Sequence, residues 1–199
     1  SQTLRPLQMK ILLTGSTGYI GRRLLPALVA AGHHIVCLVR DKRRFDWEDF
    51  SGTFLEQVTV IEGDLTDQKS LGNIPEDIDA AYYLVHSMST SSPDFTSAEA
   101  SSALNFLHAI EGTNAKQIIY LSGIVNDNDL SHHLLSRKNV EDILASGRVP
   151  VTVLRAAIIV GSGSASFEII RNLVEKLPVM VAPRWLSTRC QPISIRNVI

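Results

Sequence analysis

The stretch Leu12-Leu13-Thr14-Gly15-Ser16-Thr17-Gly18-Tyr19-Ile20-Gly21 decides the fold. An apolar run over residues 9–13 stops at Thr14-Gly15, three glycines follow at three-residue spacing, and a helical pattern begins at once. That succession predicts a strand, a tight turn and the N-terminus of a helix. Gly15 supplies the turn, Gly18 lets a ligand approach the backbone, and Gly21 lets helix and strand pack closely. Backbone N–H groups and the helix dipole then favour a phosphate at the helix start. The expected ligand is a dinucleotide lying against Gly15, Ser16, Thr17, Gly18, Tyr19, Ile20 and Gly21; the plain alternative is a turn with a structural role only.

Outward from this turn the pattern repeats. Residues 19–31 place Ile20, Leu24, Leu25, Leu28 and Val29 on one helical face, with Pro26 removing one helix hydrogen bond and Gly32 ending the helix. Residues 34–39 (HIVCLV) are a second strand, and their unbroken apolarity suits a parallel strand covered on both faces. Further strands are expected at 58–61, 80–85, 117–121 and 151–154, and helices at 67–74, 94–111, 130–145 and 164–177. Strands alternating with helices through crossovers imply an α/β fold: a Rossmann-like, doubly wound parallel sheet with helices on both faces. Ligands on such a sheet bind beyond the carboxyl ends of the strands, near the topological switch point.

The whole chain bounds this reading. Its 199 residues suffice for one ordinary domain, and 45% hydrophobic with 20% charged residues argues against disorder. A formal net charge of −1 gives no reason to expect nucleic acid as a partner. No apolar run approaches the ~20 residues of a membrane span, and the first ten residues lack a secretory apolar stretch. The chain opens on Ser1, so residues 1–8 read as a leader or appended remnant and residues 9–199 as the NAD(P)-binding domain. Residues 192–199 stop within an apolar pattern, which reads as truncation before a C-terminal substrate-binding part. Cys37 and Cys190 are far apart, so a reducing cytoplasm is the expected compartment. The six histidines and two cysteines lack metal-ligand spacing.

Beyond the glycines, Arg40 is the most informative residue. An NAD-selective site carries Asp or Glu at the end of the second strand, bonded to the ribose 2′-hydroxyl, whereas Arg suits a 2′-phosphate. Arg43 and Arg44 either extend that positive charge or belong to a solvated basic loop. The expected cofactor is therefore NADP, with NAD less favoured. Asp64 and Leu65, after the third strand, either flank the adenine or cap a turn at Thr66-Asp67. Val85, His86 and Ser87 end the fourth strand where a ribose and pyrophosphate would pass.

With these residues in place, the chain resembles the short-chain dehydrogenase/reductase superfamily, in its extended or atypical branch near the nitrogen-metabolite-repressor-like proteins. The motifs that carry the resemblance are TGSTGYIG at 14–21, LVR at 38–40, GDL at 63–65, YYLVHSM at 82–88, IIYLSG at 118–123 and VTVLRAAIIVGSGSASFE at 151–168, with PRW at 183–185. It covers residues 9–199. The resemblance implies that Ala157 and Ile158 present their backbone to the nicotinamide. It also implies a Tyr-x-x-x-Lys pair on the helix after the fifth strand, the Tyr as general acid and the Lys lowering its pKa and holding the ribose. The family's strand-end Ser falls on Ser122. Counting back four residues from Glu141 puts Arg137 at the Lys position and His133 at the Tyr position, and no tyrosine occurs over residues 121–199. Histidine is the residue type whose ordinary titration range lies nearest neutral pH, which makes His133 the candidate acid, although a cation beside it favours neutral imidazole.

Three functions follow. The first is an NADP-dependent oxidoreductase acting on a carbonyl or quinone, with Ser122, His133 and Arg137 in the catalytic positions. The second is a regulatory or scaffold protein that senses NADP(H) without turnover, which the missing Tyr favours. The third is a nucleotide-sugar epimerase or dehydratase. Substrate and oligomeric state are not specified by the residues.

Overall fold

The computed structural model describes residues 5–6, 8–50, 56–85, 93–122, 130–155, 163–177, 179–182 and 193–195 of the chain. Six strands form its main sheet: β1 (Lys10–Thr14), β2 (His34–Val39), β3 (Val58–Glu62), β4 (Ala80–Tyr83), β5 (Ile118–Ser122) and β6 (Val151–Arg155). Among the described residues four α-helices accompany them: α1 (Tyr19–Ala30), α2 (Pro93–Glu111), α3 (Leu130–Ala145) and α4 (Gly163–Glu175). The sheet is wholly parallel in the order β3-β2-β1-β4-β5-β6. This is the doubly wound Rossmann arrangement, and its order reverses between β1 and β4.

Two apolar cores explain the unbroken hydrophobicity of the strands. Ile11 and Leu13 of β1, Ile35, Cys37 and Val39 of β2 and Tyr82 of β4 join Leu24, Leu25 and Leu28 of α1 and Leu173 of α4 on one face. The intervening Leu12, Val36, Leu38, Ala81 and Tyr83 join Phe106, Leu107 and Ile110 of α2 with Val140 and Leu144 of α3 on the other. Successive strand residues point to opposite faces, so each face needs its own apolar set. Helix α1 runs unbroken through Pro26. Ile20, Leu24, Leu25 and Leu28 are buried, and at ~1.5–3 kcal/mol each they outweigh the ~3 kcal/mol a mid-helix proline costs.

Two local expectations are revised. The segment expected as a helix over 67–74 is a 3₁₀ helix, Gln68–Asn73, started by Asp67, whose carboxylate accepts from Lys69 N. The fourth strand stops at Tyr83, because Leu84 N turns to the Thr14 hydroxyl instead of a neighbouring strand. A second sheet was not anticipated: Val179–Ala182 lies antiparallel between Arg5–Pro6 and Ile193–Ile195. Its strands are two to four residues long, too short for an alternating pattern to register.

Candidate dinucleotide site

The turn after β1 is built by backbone contacts that exclude side chains. Gly15 has φ +73°, and a Cβ there would stand 2.8 Å from the Leu84 carbonyl oxygen. The β1 turn is thus pressed against the end of β4, at the point where strand order reverses. Gly18 N donates to Gly15 O at 3.1 Å, and Arg22 N donates to Gly18 O at 3.0 Å as the helix begins. A Cβ on Gly21 would lie only 1.9 Å from Gly15 O, so α1 can approach the turn this closely only with glycine there.

The strand ends are stitched together by Thr14. Its hydroxyl, 1% exposed, donates to Tyr82 O at 2.7 Å and accepts from Leu84 N at 3.3 Å. Thr14→Val keeps the shape and removes both bonds, leaving two buried backbone groups unpaired. The expected loss is about 2 kcal/mol of stability, read by urea denaturation. A Thr14→Ser protein should regain most of it, since the hydroxyl returns. Equal stability of the Val and wild-type proteins would show that the stitch carries no weight.

This turn fits a dinucleotide pyrophosphate. No side chain caps α1 at Gly18, and its first turn holds no acidic residue, so the positive helix end is left uncompensated. Ser16 Oγ is buried with no properly formed hydrogen bond, although it lies near the Cys37 thiol. Burial pushes that thiol up to about 12, so it stays protonated and is a weak partner at best. An unpaired buried hydroxyl beside an uncapped helix start is what a bound phosphate oxygen would satisfy. Tyr19 borders the turn on the outside: Arg23 stacks on its ring at 3.7 Å, and Ser166 on α4 donates to its hydroxyl at 3.0 Å.

At the end of β2, Arg40 is exposed and makes no hydrogen bond or ion pair among the described residues. Three carboxylates surround it in sequence and register, and each is engaged elsewhere. Asp41 caps a 3₁₀ turn at Lys42–Arg44: its Oδ1 accepts from Arg43 N and Nε, and its Oδ2 from Arg43 Nη2, all at 3.0 Å. Glu62, paired in register with Val39, accepts from Lys42 N at 3.0 Å. Asp64 Oδ1 accepts from Thr66 N at 2.9 Å and Thr66 Oγ1 at 2.8 Å, which is the turn-capping alternative seen directly. The Arg43 hydrogen bonds hold the Asp41 carboxyl below its ordinary range, and the Thr66 bonds do the same for Asp64, with a smaller push from Arg40.

The loop bearing Asp64 and Leu65 is braced by residues that sequence reading passed over. Ser70 Oγ accepts from Asp64 N at 2.8 Å, and its single O–H lies within reach of the Asp67 carbonyl at 2.6 Å and the Asp64 carbonyl at 2.9 Å. Asn105 Nδ2, from α2, donates to Leu65 O at 2.7 Å. Neither residue belongs to a recognisable motif, so only the fold reveals them. Thr14 did carry a signal, as the polar residue closing an apolar strand.

Ser122 closes β5 and is buried at 6% exposure, opposite Arg155 in the β6 register. Two strand spacings separate β5 from β1, which places Ser122 roughly 10 Å across the sheet from the glycine turn. Arg155 Nη2 reaches both Glu141 oxygens, at 2.8 and 3.0 Å, tying β6 to α3. His133 and Arg137 fall one turn apart on α3, and their side chains lie outside the described residues. His86, Ser87, Ala157 and Ile158 also lie outside them, while Val85 is half-buried against the α2–α3 core. The glycine turn, Arg40, the Asp64–Leu65 loop, Val85 and Ser122 therefore all sit at the carboxyl ends of the strands. Among the described residues no His, Cys, Asp and Glu cluster could hold a metal, and no helix is long and apolar enough to cross a membrane.

Comparison with known proteins agrees with this geometry. The model of a family described as NAD(P)H-binding matches residues 15–171. The photosystem II assembly factor Ycf39 of Synechocystis is 26% identical over 152 residues, 75% of this chain and 44% of that protein. Among solved structures, a nucleoside-diphosphate-sugar epimerase from Staphylococcus aureus superposes with a TM-score of 0.61 at 19% identity, covering 75% of this chain and 51% of the other. The Citrobacter triphenylmethane reductase, complexed with NADP(H), superposes with a TM-score of 0.57 at 21% identity, covering 76% and 50%. The chain thus spans about half the length, or less, of these proteins.

Proposed function

The chain belongs to the NAD(P)H-binding family, and on that premise we propose that it falls in the extended or atypical branch of the short-chain dehydrogenases/reductases and serves an NADP(H)-dependent reductase acting on a carbonyl or quinone. The observation that carries the cofactor choice is Arg40, a guanidinium whose neighbouring carboxylates are all engaged by other groups. A 2′-phosphate is the natural partner for such a group, because two parallel N–H bonds match its geometry. Proteins of this fold bind either cofactor, NADP(H) in one reductase and NAD in other enzymes, so the choice rests on Arg40.

When bound, the cofactor supplies a hydride at its nicotinamide ring. The chain's own work is to hold it. The backbone at Gly15–Gly21 receives the pyrophosphate, the Asp64–Leu65 loop borders the adenine, and Ser122 offers a hydroxyl at the substrate end of the sheet. A second reading, NADP(H) sensing without turnover, is favoured by the absence of tyrosine over residues 121–199. Oxidation of NADPH across a panel of carbonyls and quinones separates the two. Turnover should appear with at least one class, and Ser122→Ala should slow it by about tenfold or more, as loss of a positioned donor does. Tight NADP+ binding with no turnover on the whole panel would leave the sensing reading in its place.

A further inference from the structure

We propose that Arg43 sets cofactor choice indirectly, by occupying both carboxylate oxygens of Asp41 so that this acid neither binds a ribose 2′-hydroxyl nor repels a 2′-phosphate at Arg40. The inference rests on the NADP(H) reading above and deepens it. Asp41 directly follows Arg40 just beyond β2, next to the place where an acidic residue accepts the ribose 2′-hydroxyl in NAD-selective sites of this fold. Left to itself, Asp41 would therefore work against Arg40: it would offer NAD an acceptor and place a negative charge beside the 2′-phosphate.

The structure removes it from both roles. Arg43 donates Nε to Oδ1 and Nη2 to Oδ2 in a planar fork, and its backbone N–H takes Oδ1 as well. The short 3₁₀ turn over Lys42–Arg44 brings the guanidinium back over the residue two positions before it. Arg43 is thereby spent on Asp41, which makes it a positioning residue, distinct from the phosphate ligand Arg40. Lysine at 43 would keep the charge but lose the fork, since an ammonium presents no planar pair of donors.

The test compares dissociation constants for NADP+ and NAD+, by calorimetry, in wild type, Arg43→Ala, Asp41→Asn and the double variant. Both side chains are at the surface, so the variants are expected to fold, and thermal melting verifies it. Wild type should prefer NADP+. Arg43→Ala should lower the NADP+ to NAD+ preference by roughly fivefold, the size of effect an exposed charge pair produces. Adding Asp41→Asn to it should restore the preference, because the freed acid is the agent of the loss. If the double variant stays as poor as Arg43→Ala, Arg43 touches the phosphate itself and the inference fails while the NADP(H) reading stands. If wild type shows no preference for NADP+, both fail. Arg43→Lys should resemble Arg43→Ala; full wild-type preference there would overturn the role of the fork.

Discussion

Gly21→Ala is expected to lower unfolding free energy by about 3 kcal/mol or more and to abolish dinucleotide binding, whereas Gly18→Ala should fold with little loss. The two glycines belong to one motif, yet their surroundings differ. A Cβ on Gly21 would meet Gly15 O at 1.9 Å, Gly15 C at 2.7 Å and Ser16 Cα at 2.9 Å. All three atoms are backbone, so no rotamer change relieves the overlap, and α1 must move away from the turn. That movement withdraws Leu24, Leu25 and Leu28 from a core in which all three are fully buried. It also pulls apart the turn and the helix start that together would hold a pyrophosphate. A Cβ on Gly18 meets only Gly15 O at 3.3 Å, a contact that a few tenths of an ångström relieves. Gly18→Ala should instead show its effect in cofactor affinity, since the added methyl stands where the ligand approaches. Urea denaturation and NADP+ titration of the two variants read both effects. A Gly21→Ala protein as stable as wild type would mean that the close packing of α1 on the turn is not required.

The sequence carried the fold well because its signals were local and repeated. Residues 34–39 form β2 with the bounds their apolar run implied, and residues 130–145 form α3 likewise. The strand order was not legible as such, since parallel pairing depends on residues dozens of positions apart. The glycine spacing marks a ligand-binding turn, and the observed strand order shows that this turn lies at the switch point. What the sequence could not convey was which polar groups find partners. In the sequence Arg43 either extends the charge at Arg40 or belongs to a solvated basic loop, and only the 3₁₀ turn shows it engaging Asp41. Asp64 was open between two roles, and the Thr66 bonds show the capping geometry. Thr14 and Ser70 act on backbone groups from other strands and loops, contacts that no spacing rule anticipates. The small antiparallel sheet escaped for a related reason: Val179–Ala182 pairs with a two-residue strand almost the whole chain away.

Arg40→Ala should weaken NADP+ binding by about ten- to a hundredfold while leaving NAD+ within about twofold, as hydrogen bonds to a charged group at ~1.5–3 kcal/mol imply. The asymmetry follows from where the side chain stands. Arg40 caps no helix and makes no hydrogen bond or ion pair among the described residues, so its removal leaves no carboxylate orphaned. Asp41, Glu62 and Asp64 keep the partners they already have. Folding stability should thus hardly change, and the loss belongs to the ligand alone. Salt gives an independent reading: rising ionic strength should weaken NADP+ binding to wild type, and this dependence should flatten in Arg40→Ala. Arg40→Lys should fall between, retaining charge without the paired N–H geometry. An equal loss for both cofactors would place Arg40 on the shared part of the dinucleotide, and no loss for either would move the 2′-phosphate site away from the end of β2. In both of those cases the case for NADP over NAD would have to rest on residues other than those at the β2 terminus.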